Sequence, residues 1–199
     1  MDARVDTSHE VIRTSAWLGR GAALNIGVRR SGAPIVVAID ASIVPSDDVV
    51  TPLVEALQDP TLAVAGAAGF ASSDLRRFEE VVPAVEPVDV AAIRGDLMAF
   101  RRSDIAARGP VDEAFRVARY LDVWLSLVLR DEGEGTAPRR AVAIRGLAFV
   151  RIEATESGAI AAAERDRLAR RSFYRVLDRF RTRLDLAVPA PPVRSATDS

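Results

Sequence analysis

Between Gly32 and Asp48 the chain reads GAPIVVAIDASIVPSDD, and this stretch limits the fold more than any other. The run from Pro34 to Ile39 is almost wholly apolar and rich in β-branched side chains, with Gly32 and Pro34 in front of it and Asp40 directly behind. A short apolar run between breakers has the pattern of a strand buried on both faces. Such a strand needs a layer on each side, and it ends here on a carboxylate rather than on the usual glycine or asparagine.

The flanking segments supply the layers. LGRGAALNIGVRRSG at 18–32 is Ala-rich and helix-compatible, with Gly32 as a stop. Ser46 is placed to cap a helix through DDVVTPLVEALQD, in which Pro52 lies early enough to be tolerated. TLAVAGAAG at 61–69 reads as a second buried strand, and 71–87 as irregular chain with a helical turn near SDLRRFEEV. VDVAAIRGDLMAFRR at 88–102 reads as one or two strands broken near Gly95. A helix follows in which Val117, Tyr120, Leu121, Trp124, Leu127 and Val128 share a face, stopping at Gly133. RRAVAIRGLAFVRIE at 139–153 is strand-like, and 159–186 predicts a long helix striped by Phe173, Val176, Leu177, Phe180 and Leu184. Strands alternating with helices predict an α/β sandwich with a largely parallel sheet. In such sheets ligands bind beyond the carboxyl ends of strands, which is where Asp40 lies.

Composition narrows the class. A formal net charge of -1 provides no global field for nucleic acid or anionic lipid. Every basic residue other than His9 is Arg, and with no Cys, disulfides and thiolate metal sites are excluded. MDARVDTSHE has no apolar signal core, and no apolar run reaches the roughly 20 residues of a membrane span. A cytoplasmic location is the resulting expectation.

Three quoted segments, GRGAALNIGVRRSGAPIVVAIDASIVPSDDVVTPLVEAL, IRGDLMAFRRSDIAARGPVDEAF and YLDVWLSLVLRDEG, together resemble the family-2 glycosyltransferases of the GT-A fold, over about residues 10–185. The resemblance implies a Rossmann-like three-layer sandwich with a mixed, mostly parallel sheet and a bacterial-type enzyme using a nucleotide-sugar donor. It implies donor contacts near Gly19, Gly21, Asn25 and Gly27. Asp40-Ala41-Ser42 matches the family's D-x-D motif, so Asp40 and Ser42 are expected at the donor, with Asp40 holding a divalent cation, Mg or Mn. Arg101 and Arg102 after LMAF, and Asp112 and Glu113 in GPVDEAF, are expected at the sugar and acceptor pocket. Leu121-Asp122 matches the Glu-Asp pair whose Asp is the general base.

The sequence departs from that pattern in three ways. The chain is expected to lack the family's first strands, which hold the nucleobase. Ser42 replaces a carboxylate, a poorer ligand for a hard cation. The strand-like stretch 139–153 has no His, the only one being His9. The expected organisation is a partial GT-A-like domain at 1–153, a C-terminal helical extension at 154–188 packed on it and a disordered tail at 189–199.

Inverting transfer needs a base on the acceptor hydroxyl and positive charge on the departing diphosphate. Asp122 is the candidate base; otherwise it is an exposed helix carboxylate. Asp40 is a donor ligand or a turn cap, and Asp112 and Glu113 are pocket residues or a turn and helix cap. Arg101 and Arg102 are a phosphate clamp or solvated strand-end residues. Trp124 reads as core, Trp17 as packing or a base contact, and His9 as a solvated side chain. Eight Arg against two Asp between Arg165 and Arg183 form a basic amphipathic helix, which either packs its stripe inward or lies on an anionic membrane. The partners expected are a nucleotide-sugar donor and an unknown acceptor, with peripheral membrane contact and homo-oligomers left open and no nucleic acid. The alternative to an enzyme is a non-catalytic GT-A-like remnant that binds a partner through an exposed sheet edge.

Overall fold

In the computed structural model, which describes residues 10–152 and 160–191, the chain forms helix α1 (Arg20–Arg30), strand β1 (Ile35–Ile39), strand β2 (Ile43–Pro45) and helix α2 (Val50–Ala56). Strands β3 (Leu62–Gly66), β4 (Gly69–Ala71), β5 (Glu79–Val81), β6 (Val88–Val90), β7 (Ala92–Ile93) and β8 (Leu97–Arg101) follow, then helices α3 (Arg102–Arg108) and α4 (Leu121–Arg130). Strands β9 (Arg140–Ala143) and β10 (Phe149–Arg151), helix α5 (Ala162–Phe180) and a 3-10 turn at Leu184–Leu186 complete it.

The main sheet has the order β1-β8-β3-β9-β6, with a β5-β4-β7 sheet and a β10-β2 ribbon beside it. Side-chain alternation divides the core. Val64 and Phe100, with Val36 and Ala38, pack on one face with α4, while Ala65, Leu97 and Ala99, with Ile35 and Val37, pack on the other with Leu53 and Leu57 around α2. These are the expected three layers. The expectation of a mostly parallel sheet is corrected. Only β3–β9 is parallel, whereas β1–β8, β3–β8 and β6–β9 are antiparallel. A central strand buried on both faces reads as the same apolar run in either direction, so the sequence pattern does not distinguish the two pairings. Among the described residues β1 pairs only with β8, which leaves its outer edge open.

Local chemistry shifts several boundaries. Asp48, not Ser46, caps α2: its Oδ1 accepts from the N–H groups of Val50 at 2.9 Å and Thr51 at 3.0 Å. Strand β5 was not legible, because two of its three residues are glutamates without apolar alternation. Helix α4 begins at Leu121, after Val117 and Tyr120. Helix α5 ends at Phe180, and Leu184 lies exposed beyond it. Its buried stripe is Leu168, Ala169, Ser172, Val176 and Phe180. Val176 and Phe180 belong to the main core, so α5 packs on the domain through its buried stripe. Several of its arginines are engaged: Arg167 with Glu164, Arg175 with Asp112 and Arg179 over Trp124. Among the described residues no helix is long and apolar enough to cross a membrane. His9 and residues 192–199 of the expected tail lie outside the described residues.

Candidate active site

Asp40 ends β1 because it organises the turn that follows. Its N–H donates to the Asp96 carbonyl at 2.8 Å, closing the β1–β8 ladder. Its Oδ1 accepts from the Ser42 N–H at 2.9 Å and the Ser42 hydroxyl at 2.7 Å, an Asx-type turn. Its other oxygen, Oδ2, is held by the guanidinium of Arg20, the first residue of α1. One carboxylate thus ties the end of a strand, a turn and the start of a helix.

Those elements border a cavity of about 640 Å³. Apolar side chains of α1, β1 and α4 form much of its wall, and its charged groups are Arg20, Asp40, Arg94, Asp96, Arg119 and Asp122. The partners of the carboxylates distinguish them. Asp40 has Arg20, and Asp96 has Arg94 on one side and Arg151 on the other. Asp122 has no guanidinium partner among the described residues. Burial pushes its carboxyl up to about 6, the negative charge of Asp96 adds to this, and the N–H groups of Gly95 and Val123 oppose it. A half-buried carboxyl that lines a cavity with no cation partner among the described residues, pushed up to about 6, can accept a proton at physiological pH.

Asp122 reaches this position through a bend and a polar ladder. Tyr120, the residue before α4, adopts φ 69°, a left-handed conformation that is uncommon for a side-chain-bearing residue. Its ring packs on Phe173 at 5.2 Å between centroids. Along the helix Asp122, Ser126 and Arg130 recur every fourth residue, a rise of about 6 Å per step. They meet the segment 91–95 at every second residue, about 6.6 Å apart in extended chain. The Gly95 N–H donates to Asp122 Oδ2 at 3.1 Å, the Ile93 N–H donates to Ser126 Oγ at 3.0 Å, and Arg130 Nη1 donates to the Ala91 carbonyl at 2.6 Å. Burial lowers the Arg130 guanidinium to about 10, so it stays charged, and it also holds the Leu186 carbonyl. At the top rung a Cβ on Gly95 would stand 2.9 Å from Asp122 Cβ, so only glycine fits there without displacement.

Of the expected site residues, Asp40 and Asp122 line the same cavity and Ser42 braces the first of them. Gly27 of α1 lines it too, and the rest sit elsewhere. Gly19 and Gly21 allow α1 to approach the 112–116 loop: a Cβ would meet Arg116 Cα at 2.8 Å or the Asp112 carbonyl at 2.9 Å. Asn25 is buried and exchanges hydrogen bonds with the backbone of Val111, and its amide also donates to Glu113. Asp112 caps a turn through the Ala114 N–H and pairs with Arg175. Arg101 ends β8 opposite Ile35 and Arg102 opens α3; neither lines the cavity, which runs along β1 from Ile35 to Ile39. Arg101 spends its donors on the carbonyls of Leu57, Asp59 and Leu62, so no phosphate clamp forms there. Trp124 is packed between Phe115 and Phe180, and Trp17 lies under Arg116. Arg20, Arg94, Asp96 and Arg119 were missed, since their pairing joins separate elements. The D-x-x-x-S-x-x-x-R spacing on an otherwise apolar helix was a usable signal for the ladder.

A three-layer α/β sandwich with a cavity along β1, bordered by a strand-end Asp and a helix-borne Asp, has the layout of the GT-A fold. Residues 6–103 match the family model described as glycosyl transferase family 2. Among solved structures, the chain is similar to GalNAc-T7, crystallised with UDP, GalNAc and Mn2+, at 15% identity and a TM-score of 0.64. The match covers 84% of this chain and 36% of that one, so this chain spans about a third of that protein's solved length. No curated protein matches the chain.

Proposed function

We propose that the protein transfers a glycosyl group from a nucleoside-diphosphate sugar to an acceptor hydroxyl with inversion at the anomeric carbon. The observation that carries this reading is that Asp122 lines the same cavity as Asp40 and is the cavity's one carboxylate without a guanidinium partner among the described residues. Asp122 takes the proton of the acceptor hydroxyl as its oxygen attacks the anomeric carbon. The bond to the diphosphate oxygen breaks on the opposite face, and the diphosphate departs with the electron pair. The family match supports the reaction class, and UDP in the solved relative is consistent with such a donor. In the Asp122→Asn variant, transfer or donor hydrolysis should fall by about 10²–10⁴-fold, the usual worth of a general base. Unchanged turnover would remove Asp122 from the role.

The family resemblance and the Mn2+ of the relative also suggest a divalent cation at Asp40 and Ser42. When bound, such an ion would offset charge on the diphosphate. The side chains at hand fit it poorly. Hard cations take several oxygen ligands. Here one Asp40 oxygen already accepts two hydrogen bonds from Ser42, and the other carries Arg20. Among the described residues no three His, Cys, Asp or Glu side chains converge.

A second reading, a non-catalytic partner-binding domain, draws on the open outer edge of β1. Titration with a nucleoside diphosphate separates the two: micromolar binding favours the transferase.

A further inference from the structure

The side chain seated where a cation would sit is itself a cation. We infer that the Arg20 guanidinium, fixed on Asp40, replaces the divalent ion and that this site takes the diphosphate of its donor without metal. The inference rests on the transferase reading and concerns how that reading's leaving group is held.

Four observations converge on it. Arg20 lines the cavity, its side chain is 49% exposed, and the Asp40 side chain beneath it is 13% exposed. The guanidinium is therefore anchored from below and open from above, with donors left for an anion. A planar guanidinium matches phosphate oxygens in a bidentate fork, whereas a carboxylate pair alone would repel them. The start of α1 offers little competition, since the Arg20 N–H donates to the Arg116 carbonyl and the Gly21 N–H to the Phe115 carbonyl, both at 2.9 Å. The positive charge at this end of the cavity thus comes from the side chain.

Arg119 supplies a second point. It lines the same cavity, lies 5.5 Å from the Tyr120 ring and pairs with no carboxylate among the described residues. Arg94, by contrast, is committed to Asp96 and Glu80. Two phosphates between Arg20 and Arg119 would put the charge of the departing group against guanidinium groups that line the same cavity as the base. The weak ligand set around Asp40 and an Arg119 with no carboxylate among the described residues then have one explanation: the counter-charge is carried by the chain.

Calorimetric titration tests this on the full chain, with inorganic pyrophosphate and with UDP, each in EDTA and in millimolar Mn2+. The wild-type protein should bind both probes with the same affinity in either buffer. Arg20→Ala should bind about tenfold to hundredfold more weakly in EDTA, the worth of a charge-assisted contact. It should recover in Mn2+, because Asp40 is released to take the ion. Arg119→Ala should weaken binding without gaining a response to Mn2+, since Asp40 stays paired. Wild-type binding that tightens more than about tenfold on adding Mn2+ would overturn the inference and leave the transferase reading standing. So would an Arg20→Ala variant that binds like wild type in EDTA. Failure of wild type to bind either probe in both buffers would overturn both.

Discussion

At the scale of single residues the site is a set of carboxylates sorted by their neighbours. Asp40 was legible because it follows an apolar run, and Asp122 because its helix resembles a known motif. Arg20 and Asp96 were not, since nothing in the sequence near residue 20 indicates that it will close on residue 40. The sorting has a measurable consequence in pH. Burial raises the Asp122 pKa to about 6, so its protonated form is favoured in the folded state. Folding stability from this group is fully present below the ordinary carboxylate range and is lost as pH rises through about 6. That is worth about 3 kcal/mol at the top of the range. The Asp122→Asn variant that loses turnover should accordingly be more stable than wild type at pH 8 and gain little at pH 4, as read by urea unfolding. The wild-type kcat/KM should rise through about pH 6 as the base ionises. Gly95→Ala acts on the same group from the other side. Its methyl would push against Asp122 Cβ, and a displacement of that size is expected to lower turnover about hundredfold while circular dichroism stays native.

At the scale of elements, helices and strands behave differently as signals. The long apolar runs that become β1, β3 and β8 were visible, as were α1, α4 and most of α5. The directions of the strands were not, and neither was β5 with its glutamates. Helix α4 carries the main lesson. Its apolar periodicity marked it as buried, but its three polar residues determine where it sits. Ser126 is fully buried, and its hydroxyl accepts from Ile93, so removing it strands a buried N–H. Ser126→Ala should cost about 1–3 kcal/mol in urea unfolding, more than the loss of one oxygen at the surface would. The same variant should also lower turnover, because the middle rung supports the top one.

At the scale of the whole molecule, the α/β class and the layered architecture followed from the sequence, because each buried strand demands cover on both faces. The helical extension expected to pack on the domain does so through α5, whose Val176 and Phe180 join the core of α4. Phe180 is fully buried and meets Trp124 edge-on at 5.6 Å between centroids. Phe180→Ala should cost about 3–5 kcal/mol, a core-sized loss, measured by chemical denaturation with a single cooperative transition. A two-step transition would mean that α5 melts independently. The spacing of the rungs along α4 carries a last consequence. A slide of the helix by one turn would set Ser126 against Gly95 and Arg130 against Ile93, exchanging an acceptor for a cation that cannot accept from an N–H. The helix is therefore indexed like a ratchet with a single matching notch, and mutations that loosen the core should abolish the proton acceptor in some molecules rather than shift it slightly in all of them.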